Sequence, residues 1–158
     1  MSGSVSTSGD TGAFKIHPPL LALLCLAGAL VLHLLVSGTR TVYAHHLFGL
    51  LLTAGGVGLC FYAAAIFGAR ETTKNPYGEP SQFVTVMPYT FTRNPMYLGL
   101  TTVLLGFAVF FASPVMILAP IVFFLVIDRM VIPREEQTME RLFGDSYRDY
   151  QRRVRRWL

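Results

Sequence analysis

Between Leu47 and Phe67 the chain reads LFGLLLTAGGVGLCFYAAAIF, an uncharged run of 21 residues. At 1.5 Å per residue a helix of that length reaches about 31 Å, enough to cross the ~30 Å hydrocarbon core of a bilayer. A helix facing water would carry charged residues along one side, and this run has none. It therefore predicts a membrane span. Gly49, Gly55, Gly56 and Gly58 within it predict that a neighbouring helix approaches closely. The whole chain agrees: 158 residues that are 53% hydrophobic and 14% charged, with a mean hydropathy of +0.49, exclude an ordinary soluble domain.

Three more apolar runs flank this one. Leu20 to Val36 is introduced by Pro18-Pro19, which suits a helix start. Met96 to Phe111 and Val115 to Ile132 are separated only by Ser113-Pro114, which predicts a tight hairpin. Cys25 and Cys60 lie inside apolar runs and read as small packing residues. After Pro133, Met139, Leu142, Phe143, Tyr147, Tyr150 and Val154 recur at helical spacing among charged residues. That pattern predicts an amphipathic surface helix, interrupted at Gly144 with Asp145 as a new N-cap. The expected architecture is all-α and integral to the membrane. It has a flexible tail over 1–17 and one domain over 18–158, with spans at about 18–36, 45–68, 95–112 and 114–132 and a cytoplasmic helix at 133–156.

Charge placement sets the orientation. Eight of the thirteen Lys and Arg residues fall from Arg129 onward, directly after the last apolar run, where anionic lipid headgroups account for them without nucleic acid. Lys15, then Arg70, Lys74 and Arg93, and then the terminal cluster all belong to one face, with Arg40 alone on the other. Both termini and the 69–95 loop are expected to be cytoplasmic. His17, His33, His45 and His46 are not arranged with carboxylates as ligands, so no metal is expected.

Two segments carry candidate chemistry. In Thr92-Arg93-Asn94-Pro95 the proline pushes Asn94 out of the helical region and opens the next helix. Arg93 and the helix N-terminus then form a grip for an anion such as a carboxylate, or else a headgroup anchor. Glu135 and Glu136 begin a helix, where they either complement its dipole or bind a ligand's amino and hydroxyl groups. In the second case the other carboxylate of the pair can meet Arg93 or Arg129. Asp128 and Arg129, inside the last span, are further candidates.

Taken together, Thr92-Arg93-Asn94-Pro95-Met96-Tyr97-Leu98-Gly99, Glu135-Glu136, Leu142-Phe143-Gly144, Tyr147, Tyr150 and Val154 resemble the isoprenylcysteine carboxyl methyltransferases and their phospholipid methyltransferase relatives. The resemblance covers about Pro76 to Arg156. It implies S-adenosylmethionine as cofactor and S-adenosylhomocysteine as product, bound at the cytoplasmic edge. It places cofactor contacts on Gln82, Phe83, Val84, Tyr89, Asn94, Pro95, Met96, Tyr97, Gly99 and Glu135. Arg93 and Glu136 become catalytic candidates, and Arg129 and Arg134 candidates for binding the substrate. The chain departs from the family pattern at Asn94, where the eukaryotic enzymes have His, and at Met87, where Gly usually precedes the proline. It departs again at Val131, where the prenylcysteine enzymes carry an Arg addressed to the substrate carboxylate.

The expected activity is methyl transfer to a lipophilic or lipidated acceptor among membrane lipids, in the plasma membrane of a prokaryote. The alternatives are a lipid amine or a small thiol as acceptor, and a scaffold without activity.

Overall fold

The computed structural model describes residues 17–37, 46–71 and 86–158. Among them every regular element is helical: α1 (Pro18–Ser37), α2 (His46–Glu71), α3 (Pro95–Phe110), α4 (Leu118–Val126), α5 (Ile132–Phe143) and α6 (Asp145–Arg153). A 3₁₀ turn at Pro114–Ile117 precedes α4, and a π-helical turn at Ile127–Val131 joins α4 to α5. The expected 1–17 tail lies outside the described residues except for His17. Pro18–Val36, His46–Ala69 and Pro114–Phe143 are long and apolar enough to cross a membrane. Pro95–Phe110 is apolar but shorter. Its 16 residues cover about 24 Å, less than the ~30 Å hydrocarbon thickness. The protein is an integral membrane protein, and leucines and phenylalanines face outward along α1 and α2 as a lipid solvent requires.

The helices run up and down, and α2 packs chiefly on α3. Glycines at a spacing of seven on both helices make that contact. A Cβ on Gly49 would lie 2.6 Å from the Phe110 Cα, and one on Gly56 would lie 2.7 Å from the Gly99 carbonyl oxygen. Gly99 and Gly106 return the contact from α3, since a Cβ on either would stand 2.8 to 2.9 Å from the carbonyl oxygens of Gly56 and Gly49. Seven residues are close to two helical turns, so each pair lines one face. Gly55 and Gly58, expected to serve the same purpose, face open space instead. On the other side of α3, α1 and α4 pack around Leu104, Met116, Phe123 and Ile127. At the far end His33 Nδ1 and Ser113 Oγ share a buried 2.8 Å hydrogen bond, tying α1 to the α3–α4 hairpin.

Pro133, expected to open the cytoplasmic helix, falls at the start of α5 but does not break the chain of helical turns. The helix continues through it, because the π-turn lies immediately before it: the Ile132 N–H donates to the Ile127 carbonyl, five residues back. Pro133 has no N–H and its ring crowds the carbonyl four residues earlier, and widening the preceding turn relieves that crowding. The break falls at Gly144 as expected, at φ 52°, a left-handed conformation that favours glycine. Gly144 itself, not Asp145, caps α6: its carbonyl accepts the Tyr147 and Arg148 N–H groups at 3.1 and 3.2 Å. Tyr147, Tyr150 and Val154 form the buried face with Met139 and Phe143 against them, whereas Leu142 is exposed.

Gly56→Ala should therefore lower stability by about 1–3 kcal/mol through overpacking. Gly55→Ala should stay within about 0.5 kcal/mol. Thermal unfolding of the detergent-solubilised protein measures both.

Candidate active site

Three segments distant in sequence meet at one end of the bundle: the turn at 86–94 with the first turn of α3 that follows it, the start of α5 and the C-terminal residues 154–158. Glu136 is the point they share. Its Oε1 lies 3.1 Å from Arg93 Nη1, and Arg156 donates from Nε to Oε1 at 3.2 Å and from Nη2 to Oε2 at 2.6 Å. The carboxylate and Arg93 are nearly enclosed, with side chains 14% and 12% exposed. A two-pronged arginine contact is among the strongest polar interactions available to a carboxylate. Hydrogen bonding to Glu136 holds the Arg156 guanidinium further above its ordinary range.

Asp128 supplies the second negative charge. Its Oδ1 accepts the Trp157 indole N–H at 2.9 Å and Arg156 Nη1 at 3.3 Å. The π-turn makes this possible. Eight residues carry an α-helix about 80° past two whole turns, which would put Asp128 and Glu136 on different faces. The single residue inserted by the π-turn cuts the effective separation to about seven, and both carboxylates then face one guanidinium. Two carboxylates and two guanidiniums balance, as a poorly solvated cluster requires.

The turn before α3 is held just as closely. Thr92 Oγ1 and Asn94 Nδ2 donate to the Arg156 carbonyl at 3.1 and 3.0 Å, and the Arg93 N–H donates to the Arg155 carbonyl at 3.0 Å. Tyr150 O–H donates to the Tyr89 carbonyl at 2.7 Å. The Tyr89 phenol, pushed up to about 12 by burial, stays protonated and points its O–H at the Ala63 carbonyl. Beside Glu136, Glu135 Oε1 accepts the Tyr97 O–H at 2.6 Å. Among the described residues no hydrogen bond reaches the other Glu135 oxygen.

Most residues singled out from sequence gather here, in different postures. Arg93, Tyr97, Glu135 and Glu136 converge. Asn94 turns its amide to the Arg156 carbonyl, and its side chain does not cap α3. Pro95 is buried, and the Met96 carbonyl lies 3.3 Å from Cys60 Sγ. Gly99 faces α2, where backbone approach accounts for it. Gln82, Phe83 and Val84 lie outside the described residues. Arg129 points away, 77% exposed and 3.6 Å from Asp128, and Arg134 is exposed as well. Arg156 and Trp157 were missed, because a terminal basic run reads as headgroup-facing. Two carboxylates eight residues apart around Pro133 were the available signal.

The phospholipid methyltransferase family model matches residues 44–146, from the start of α2 to the start of α6. The chain belongs to the phospholipid methyltransferase family. Within it, an uncharacterized protein of Haemophilus influenzae is 44% identical over 63 residues, 40% of this chain and 100% of that protein. Methanethiol S-methyltransferase 1 of Bradyrhizobium diazoefficiens is 35% identical over 95 residues, 56% of this chain. This chain spans only 31% of that relative's length. No solved structure matches. The residues of this family member also fit a group carrying both a carboxylate and an amine. Arg93 Nε is buried and makes no well-aligned hydrogen bond to a described residue, although the Tyr147 phenol lies against the same guanidinium, and the second oxygen of Glu135 accepts no hydrogen bond from a described residue.

Removing the shared carboxylate leaves two guanidiniums facing each other. Glu136→Gln should therefore destabilise the protein by about 3–5 kcal/mol. Glu140→Gln, which loses only the exposed pair with Arg148, should cost under about 1 kcal/mol. Thermal unfolding in one detergent compares the two.

Proposed function

We propose that this chain transfers a methyl group from S-adenosylmethionine to a lipophilic, membrane-partitioning acceptor at the site around Arg93, Tyr97 and Glu135. The observation that carries the reading is the division of labour between adjacent carboxylates. Glu136 is saturated by two arginines, while Glu135 is oriented by Tyr97 and keeps an oxygen that no described residue hydrogen-bonds. Both termini and the site lie on the cytoplasmic side in this reading, where the donor is available.

The bound donor supplies an electrophilic methyl group on a sulfonium. Glu135 would hold the donor's ammonium or ribose hydroxyls, and Arg93 would hold its carboxylate. Tyr97 fixes the Glu135 rotamer. The displacement is in line and needs alignment and exclusion of water more than covalent help. Glu136 is a positioning residue, not a base, because its oxygens already accept from Arg156 beside Arg93. The acceptor therefore arrives as a nucleophile with no proton to surrender to Glu136, which favours a thiolate or carboxylate over an amine. Arg129 and Arg134, exposed at the end of the span, are placed to meet an acidic group on such an acceptor before it enters.

A second reading, a small thiol as acceptor, is favoured by the similarity to a methanethiol S-methyltransferase. Val131, where the prenylcysteine enzymes are expected to carry an arginine, supports it too.

Isothermal titration of purified protein with S-adenosylhomocysteine tests the donor assignment. Wild type should bind, Glu135→Gln should lose binding, and Tyr97→Phe should weaken it about tenfold, or ~1.4 kcal/mol. Unchanged affinity in Glu135→Gln would refute the assignment.

A further inference from the structure

Residues 154–158 lie beyond the family-matched segment, yet they contact the turn before α3, the start of α5 and the π-turn. Val154 is buried. The carbonyls of Arg155 and Arg156 receive three hydrogen bonds from Thr92, Arg93 and Asn94. The Arg156 guanidinium spans Glu136 on α5 and Asp128 in the π-turn. Trp157 donates to Asp128 and lays its ring against Phe124 on α4, with centroids 4.6 Å apart. A tail that served only to meet lipid headgroups would keep its cations in the interface and its backbone unpaired with the protein. This one spends a guanidinium, an indole N–H and two carbonyls on the protein itself.

We propose that residues 154–158 form a strap and that Arg156 is a positioning residue for the methyl-donor site, an inference that rests on the donor reading above. The strap acts on both walls at once. Its carbonyls fix the Thr92–Asn94 backbone immediately before α3, and so the setting of Arg93 and of Tyr97 one turn on. Its guanidinium fixes Glu136, and so the rotation of α5 that presents Glu135 to Tyr97. The second effect needs the forked geometry directly, since Nε and Nη2 engage the two oxygens of Glu136 while Nη1 reaches Asp128, and the first depends on it through the anchoring that the guanidinium gives the strap. A lysine at this position would supply charge but no fork.

The test uses the full-length protein in detergent, with calorimetric titration of S-adenosylhomocysteine and hydrogen exchange read by mass spectrometry. Arg156→Gln should weaken binding tenfold or more and speed exchange across 88–99, leaving exchange in α2 unchanged. Arg156→Lys should not restore the affinity. Wild-type affinity in Arg156→Lys would overturn the positioning role, because a plain structural charge is rescued by lysine. Unchanged exchange across 88–99 in Arg156→Gln would overturn the strap, even if wild type binds no S-adenosylhomocysteine and the donor reading has itself failed. Should Arg156→Gln not fold, Trp157→Phe keeps the ring on Phe124 and removes only the N–H to Asp128. That variant should raise the dissociation constant two- to fivefold, and an unchanged constant would count against the strap.

Discussion

A single carboxylate, Glu136, holds this end of the molecule together. Arg93 reaches it from the turn before α3 and Arg156 from the C-terminus, both at hydrogen-bonding distance. A charge so enclosed is tolerated only when fully matched, and the penalty for leaving it unmatched is what makes the two arginines obligatory. Neither arginine is close to Glu136 in sequence. Meeting it therefore fixes where the 86–94 turn and the C-terminal segment must lie, and with them the Tyr97–Glu135 pair next door. The π-turn belongs to the same constraint, because it brings Asp128 round to the Arg156 guanidinium and lets the helix pass through Pro133.

The membrane shapes the remainder. Lipid gives little reward for burying apolar surface between helices, so α2 and α3 associate through the close approach of Gly49 and Gly56 to Gly106 and Gly99. That contact places Cys60 and Ala63 of α2 against Met96 and Tyr89 at the base of the site. The opposite end is closed by the His33–Ser113 bond. Rigid spans and a charged cluster at one end leave the site supported from below by packing and from the side by ion pairs.

Much of this was legible in the sequence, for identifiable reasons. Uncharged runs near 20 residues long announce spans whatever their neighbours do, and a glycine with φ > 0 ends α5 where Gly144 said it would. Arg93, Tyr97, Glu135 and Glu136 stood out through their combined pattern. The roles inside the cluster were less visible. Which of four mid-helix glycines faces a partner depends on the helix rotation, and only Gly49 and Gly56 do. Arg156 looks like its neighbours Arg152, Arg153 and Arg155 until the chain folds back, and the π-turn has no local signature beyond Pro133. Asn94 fits an anion grip by its position, but its amide is taken by the Arg156 carbonyl.

In the proposed function, the cluster around Glu136 assembles a methyl-donor site from the α3 and α5 helix starts. Ultraviolet cross-linking of isotope-labelled S-adenosylmethionine to the purified protein, with mass-spectrometric mapping of the labelled peptides, tests it most directly. Saturable label, competed by S-adenosylhomocysteine, is expected on peptides covering 86–99 or 130–137. Label confined to α1 or to the exposed face of α6, or label that never saturates, would contradict it.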